Sequence, residues 1–275
     1  MEPNPRFGGI VRLYGREAVE RLRRAHVCVV GVGGVGSWTV EALARSGVGA
    51  LTLVDADEVC VTNINRQLPA LEHTVGVSKV RVLAERVAAI HAECEVRAVE
   101  EFFTAASGER LLAGPSGAGG RFDWVVDAID PVSQKALLVA SCVRRGIPVL
   151  TVGGAGGRRD GTQVRVGDLA AAGNDALLRA LRRALRREHG IGAHGEGSGK
   201  KRDIFGIPCV YSSEKQVFPT EDGRVCGTPE GGTSLRMDCA SGFGAATFVT
   251  GAFGFAAAGE VVRRLCAPSA GPGVS

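Results

Sequence analysis

Six residues near the start of the chain, Gly31-Val32-Gly33-Gly34-Val35-Gly36, restrict its architecture more than any others. They follow a short apolar run, His26 to Val30, and open a stretch with helical patterning. Strand, glycine turn and helix in that order form the context in which a G-x-G-x-x-G loop binds nucleotide phosphates. Glycines are needed because the backbone turns tightly and lets a phosphate or ribose approach beside the positive end of the helix. Taken alone, the loop does not separate ATP from NAD. Asp55, closing the next apolar run, suits either, since a carboxylate there can hold ribose hydroxyls.

From Ala25 to Val152, apolar runs of strand length alternate with helical patterns. This arrangement implies crossover units and a parallel sheet covered on both faces. Strands are predicted near His26 to Val30, Ala50 to Val54, Glu95 to Val99, Trp124 to Asp127 and Pro148 to Val152. Helices are predicted over Gly36 to Ser46, Ser78 to Ile90, Ser133 to Arg145 and, more briefly, Ala105 to Leu112. The predicted class is α/β: a Rossmann-like, doubly wound, mostly parallel sheet with helices on both faces and a C-terminal extension. Residues 1–275 read as a single domain, with a nucleotide-binding core at 25–152 and a C-terminal subregion at 153–275. Two Gly-rich stretches, Gly114 to Gly120 and Gly190 to Lys201, read as surface insertions. Beyond the second the chain reads as irregular until a closing helix at Gly244 to Leu265.

The 275 residues include 45% hydrophobic and 23% charged side chains, which is ordinary for a globular protein with a large core. A formal charge of +4 is too mild to require nucleic acid as a partner, so such a role needs a local patch. The eight cysteines are scattered and form no C-x-x-C pair, so few or no disulfides and no zinc site are expected. Met1 to Ile10 carries charge and proline and lacks the apolar segment of a secretory signal. Cys239 to Gly259 is uncharged but rich in Gly, Ala, Ser and Thr, which suits tight packing at Gly242, Gly244, Ala245 and Gly251 better than a membrane span. A cytoplasmic protein is expected, or an organellar one in a eukaryotic cell, with no stable membrane insertion.

The stretch Asp55-Ala56-Asp57-Glu58-Val59-Cys60-Val61-Thr62-Asn63-Ile64-Asn65-Arg66-Gln67, with Lys79 at a helix start, separates the nucleotide classes. Hydride transfer has no need of a cationic pair here. Nucleotidyl transfer does, because Arg66 and Lys79 can neutralise a triphosphate as its α-phosphorus is attacked. Asp130, ending Asp127-Ala128-Ile129-Asp130 at the carboxyl edge of the sheet, can hold Mg²⁺ through one carboxylate together with substrate oxygens. A lone Arg or Lys on a loop is usually a solvated charge, and a lone Asp after a strand is often a helix cap. Together at successive strand ends they point to a ligand site.

The series G-x-G-G-x-G, D-x-D-x-V-x-x-x-N-x-N-R-Q, Val77-Ser78-Lys79 and Asp-Ala-Ile-Asp resembles the adenylation core of ubiquitin-activating enzymes and of the bacterial activators of molybdopterin and thiamine sulfur carriers. That resemblance implies ATP and Mg²⁺ contacts from Gly33, Asp55, Asp57, Asn63, Arg66, Gln67, Lys79 and Asp130. The other motif residues, Gly31, Gly34, Gly36, Asn65 and Asp127, complete the candidate nucleotide set. It also implies an N-terminal Arg that completes the ATP site of a second subunit; Arg6 and Arg12 flank the matching stretch, and Arg12 is preferred.

Further stretches resemble the threonylcarbamoyladenosine dehydratase branch: Arg6-Phe7-Gly8-Gly9 with Arg12-Leu13-Tyr14-Gly15, Gly153 to Gly157, Tyr211 to Glu214, and Met237 to Thr247. The implied activity is an ATP-dependent cyclisation on tRNA, in which the free carboxylate of the threonylcarbamoyl group is activated and attacked from within the same modification. No catalytic cysteine is then required, and Cys239 reads as a packed thiol. Homodimerisation and sulfur-transfer accessory proteins also follow from the resemblance. Within Leu177 to Arg187, Arg179, Arg182, Arg183, Arg186 and Arg187 fall on one helical face opposite Leu177, Leu178, Leu181 and Leu185. Such a stripe suits RNA phosphates, with Lys200, Lys201 and Arg202 as helpers. Competing readings are an adenylyltransferase for the C-terminal Gly of a ubiquitin-like carrier, an NAD-dependent oxidoreductase, and a nucleotide-binding scaffold without turnover.

Overall fold

A computed structural model of the chain describes residues 4–114, 121–192, 204–220, 222–228 and 243–267. Two short helices, α1 (Gly8–Tyr14) and α2 (Arg16–Arg24), precede the sheet. The first half then alternates β1 (His26–Val30), α3 (Gly36–Arg45), β2 (Ala50–Val54), α4 (Lys79–Ile90), β3 (Glu95–Val99), α5 (Ala105–Leu112), β4 (Trp124–Asp127), α6 (Val132–Arg144) and β5 (Val149–Val152). The second half adds β6 (Val164–Asp168), α7 (Ala176–His189), β7 (Pro208–Ser212), a small hairpin of β8 (Phe218–Pro219) and β9 (Val225–Cys226), and α8 (Thr247–Cys266).

Strand order in the main sheet is β3-β2-β1-β4-β5-β7-β6. All neighbours are parallel except β6, which runs antiparallel to β7 at the edge. The chain therefore winds outward from β1 in one direction through β2 and β3 and in the other through β4 and β5. The reversal between β1 and β4 opens a crevice at their carboxyl ends, where ligands of such sheets bind.

Alternation along β1 divides the core. Val27 and Val29 face α2, α3, α4 and α8 on one side, while Cys28 and Val30 face α5, α6 and α7 on the other. Closure of the first layer depends on α8 lying almost in backbone contact with α3. A methyl group on Gly254 would come within 2.6 Å of Trp38 Cβ and 2.7 Å of the Val35 carbonyl oxygen. Thr39 Oγ1 donates to the Gly254 carbonyl at 3.2 Å across the same seam. Among the described residues no helix is long and apolar enough to cross a membrane.

Two features depart from the sequence-based expectation. The stretch after Gly190 is not irregular throughout, because β7 enters the main sheet between β5 and the edge strand β6. Its buried Pro-Cys-Val-Tyr-Ser run is too short to declare a strand by period alone, and β6 reads weakly because an edge strand is half exposed. The N-terminal helices also lacked a signal, since α2 buries only Ala18 and Leu22 among its charged residues.

Two glycines of α8 should respond oppositely to alanine. Gly254→Ala forces α3 and α8 apart and should destabilise by about 1–2 kcal/mol despite its better helix propensity. Gly259 has no atom within 4 Å of an added methyl, so Gly259→Ala should stabilise by roughly 0.5–1 kcal/mol. Urea midpoints of the two variants against the parent chain check both signs.

Candidate active site at the switch point

The glycine turn sits against the end of β4. Gly31 has φ of +84°, and a methyl group there would lie 2.8 Å from the Ala128 carbonyl oxygen and from Ile129 Cγ2. Only glycine combines that backbone angle with that approach. Gly36 lies over the Gly31 carbonyl, so the start of α3 is pressed onto the turn. A methyl on Gly33 would stand 3.5 Å from Gln67 Nε2, and one on Gly34 would stand 3.3 Å from Thr250 Cγ2 and 3.8 Å from Arg66 Cγ.

Asp55 fastens this turn to β2. Its Oδ2 accepts the Val32 amide at 2.8 Å and its Oδ1 accepts the Asp57 amide at 2.9 Å. Burial pushes its carboxyl up from the usual range, opposed by the Asp57 amide and the Lys79 charge. Each oxygen retains a second lone pair able to receive a ribose hydroxyl. Lys79, at the start of α4, is buried and its Nζ lies 2.7 Å from Oδ2 of the half-exposed Asp57, while its amide donates to the Asp57 carbonyl at 3.1 Å.

Asn63 shapes the loop that carries Arg66. Its buried Oδ1 accepts the Cys60 amide at 3.0 Å, and its carbonyl accepts the amides of Arg66 at 3.0 Å and Gln67 at 2.9 Å. Arg66 is held at its backbone by Trp38 Nε1 and Thr250 Oγ1, each donating to its carbonyl at 3.1 Å. Its exposed guanidinium donates to the Thr62 carbonyl at 2.7 Å and to Asn65 Oδ1 at 3.0 Å. Asn65 in turn donates through Nδ2 to the Ala245 carbonyl at 2.8 Å, and Thr247 Oγ1 donates to the Asn65 carbonyl. The head of α8 thus holds the Arg66 loop beside the glycine turn. Gln67 Oε1 is buried without a partner among the described residues.

On the far side of the crevice, Asp127 and Asp130 have different surroundings. Asp127 is fully buried, accepts Thr151 Oγ1 at 2.6 Å, and pairs with the equally buried Lys135 at 3.0 Å. Its oxygens face the protein rather than the crevice. Lys135 also donates to the Ile129 carbonyl at 3.0 Å, so the pair fixes the backbone that leads to Asp130. Asp130 itself is exposed, and among the described residues its carboxylate has no hydrogen-bond partner. It lies in a depression where crowding by protein raises its carboxyl, against the pull of the Lys135 and Arg66 charges. An uncommitted carboxylate reached by the charge of Arg66 fits a hard cation held with substrate oxygens, whereas the Asp127 carboxylate does not face such a ligand.

A family model described as the ThiF family matches residues 9–271. The tRNA threonylcarbamoyladenosine dehydratase of Escherichia coli K12 is 47% identical over 271 residues, covering 98% of this chain and 96% of that protein. Its namesake in Haemophilus influenzae is 45% identical over 260 residues, covering 94% and 93%. The chain belongs to the ThiF family, in the threonylcarbamoyladenosine dehydratase branch. A crystal structure of the E. coli dehydratase in complex with ATP superposes with a TM-score of 0.80 at 42% identity, covering 94% of this chain and 93% of the other.

The remaining candidates of this ThiF-family chain lie elsewhere. Arg12 is exposed on α1, at the amino edge of the sheet. The Phe7 ring, just before α1, packs against Gly47, which leads into β2, and edge-on to His91 at the end of α4, with centroids 4.8 Å apart. Within one chain Arg12 does not join the crevice. The arginines of α7 do not act as one stripe. Arg182 caps the Leu169 and Ala172 carbonyls at 2.9 and 2.8 Å, and Arg186 donates to the Gly192 carbonyl and covers the Phe205 ring. Arg179, Arg183 and Arg187 are exposed, and the four leucines are buried. Lys200, Lys201, Arg202, Cys239 and Gly242 lie outside the described residues.

Three residues that shape the site carried little sequence signal. Lys135 reads as one of many helix lysines until the fold sets it under Asp127. Arg158 and Asp175, separate in sequence, are both buried and meet at 3.5 Å beside the loop after β5. Lys135→Met leaves Asp127 as a buried charge without a partner and should cost about 3–5 kcal/mol. Asp127→Asn together with Lys135→Met should recover most of that loss. Chemical denaturation of the single and double variants checks both.

Proposed function

We propose that this ThiF-family chain dehydrates N6-threonylcarbamoyladenosine in tRNA beside the anticodon, using MgATP to activate the free carboxylate and closing a ring within the modification. The observation that carries this reading is the placement of Arg66 and the glycine turn on one wall of the crevice with the uncommitted Asp130 on the other. The turn and the head of α3 receive phosphate, Asp55 receives ribose, and Lys79 and Arg66 offset charge on the triphosphate. Asp130 would hold Mg²⁺, which neutralises phosphate oxygens and favours pyrophosphate as the leaving group.

A substrate carboxylate oxygen attacks the α-phosphorus and yields an acyl-adenylate. A nucleophile of the same modified nucleoside then attacks the acyl carbon, the acyl C–O bond breaks and AMP leaves with that oxygen, so the net loss is one water and the protein supplies orientation rather than a nucleophile of its own. Similarity to the dehydratases extends through the second half of the chain, which favours tRNA over a ubiquitin-like carrier as the acceptor.

The working unit in this reading is a homodimer in which Arg12 enters the crevice of the second copy. Support comes from its position at the amino edge, remote from its own crevice, and from the exposed Leu13 and Tyr14 beside it. Exposed Arg179, Arg183 and Arg187 take RNA phosphates, the bacterial relatives favour a cytoplasmic location, and sulfur-transfer accessory proteins are partners of the same pathway.

Incubation with ATP, Mg²⁺ and threonylcarbamoylated tRNA, followed by mass analysis of the nucleosides, should give a product lighter by one water. Lys79→Ala should slow its formation by about 10²–10³-fold while the fold is kept. An unchanged nucleoside, or turnover that depends on a small carrier protein in place of tRNA, would overturn the assignment.

A further inference from the structure

The loop that leaves β5 is gripped at one residue from both sides. The Gly154 amide donates to Asp175 Oδ2 at 3.0 Å, and its carbonyl accepts Arg158 Nε at 2.9 Å. The other oxygen of Asp175 accepts the Leu178 amide at 2.9 Å and so caps α7. Arg158 also donates to the Asn174 carbonyl at 2.9 Å and to the Glu214 carbonyl, and its Nη2 lies 3.5 Å from Asp175 Oδ2. Asn174 adopts a left-handed backbone, with φ of +50°, and donates to the Ser213 carbonyl at 2.9 Å. Non-glycine residues seldom adopt that conformation unless their surroundings enforce it.

Three segments distant in sequence therefore meet at one buried ion pair: the loop after β5, the first turn of α7, and the turn after β7. A buried ion pair adds little net stability over an apolar replacement, so what it contributes here is a fixed geometry. The joint lies next to the reacting centre. β5 is the strand beside β4, so the joint stands on the same side of the crevice as Asp130, close enough for the Asp175 charge to act on that carboxyl. From the same loop, the Gly157 amide donates to the Gly244 carbonyl at 2.7 Å, just before the head of α8 that holds the Arg66 loop.

We propose that Arg158 and Asp175 are positioning residues for the RNA half of the reaction. They hold the Gly153–Gly157 loop as the wall beside Asp130 and lock it to the first turn of α7. An RNA bound along Arg179, Arg183 and Arg187 then presents its modified nucleoside to the activated phosphate in one register. The inference rests on the tRNA reading above. Intramolecular ring closure is sensitive to such register, since a displacement of about 1 Å can cost on the order of 10²-fold in rate.

The test is Asp175→Asn in the full-length protein. The amide still caps α7 but offers one acceptor oxygen where Asp offers two, and no charge to Arg158. Three quantities are measured: the thermal midpoint, MgATP affinity by calorimetry, and kcat and KM for threonylcarbamoylated tRNA. The expected result is a folded protein with MgATP affinity within about twofold of the parent and ring-closure kcat lowered at least tenfold. Should Asp175→Asn fail to fold, Arg158→Lys replaces it, because lysine keeps the charge but does not bridge three carbonyls. Turnover equal to the parent, or MgATP affinity and turnover falling together, overturns the proposal. If the parent chain itself produces no dehydrated nucleoside, it is the tRNA reading that fails.

Discussion

The backbone of the glycine turn touches the backbone at the end of β4, and the rest of the site depends on that contact. With no side chain at Gly31, the Ala128 carbonyl and the Ile129 side chain come within the volume a methyl group would occupy. The two walls of the crevice are consequently set by main chain rather than by adaptable side chains. Asp55 adds a second constraint by accepting the Val32 amide, so the turn is held from β2 as well as from β4. In the proposed reading, a phosphate entering there would meet a surface already arranged to receive it, with little ordering left to occur on binding.

Charge is distributed around that fixed backbone according to burial. Asp127 and Lys135 neutralise each other inside the protein, so their role is to hold the chain that presents Asp130. Lys79 is tied to Asp57, and Arg66 and Asp130 face solvent. The fully buried Asp127–Lys135 pair holds the mouth in shape and meets no ligand itself. The same logic applies to Arg158 and Asp175, which lie out of solvent at the joint between the two halves of the chain.

Much of this was legible in the residues. Apolar runs of strand length marked β1, β2 and β4 with the bounds the structure shows, and β5 to within one residue, because a doubly covered parallel strand leaves a continuous hydrophobic stretch, and the edge strand β3, Glu-Val-Arg-Ala-Val, also has its expected bounds although it is only partly covered. The candidates around Gly31, Asp55, Arg66 and Asp130 were readable because their motifs are local and dense. Elements that draw their stability from long-range partners were not. β7 is a five-residue run that becomes a strand through its neighbours β5 and β6. Arg182 looked like part of a basic face until the structure showed it capping carbonyls near its helix. Asp127 belonged to the same motif as Asp130, and only the fold separates the buried carboxylate from the available one.

In the proposed function, the glycine turn, Arg66, Lys79 and Asp130 form one pocket shaped for a magnesium-bound triphosphate. Isothermal titration of the folded protein with MgATP, and separately with NAD, tests it most directly. Saturable heat is expected with MgATP and at least tenfold weaker binding with NAD, with the MgATP signal abolished by Lys79→Glu in a protein that melts as the parent does. Equal affinity for the two nucleotides, or no heat with MgATP, would contradict it.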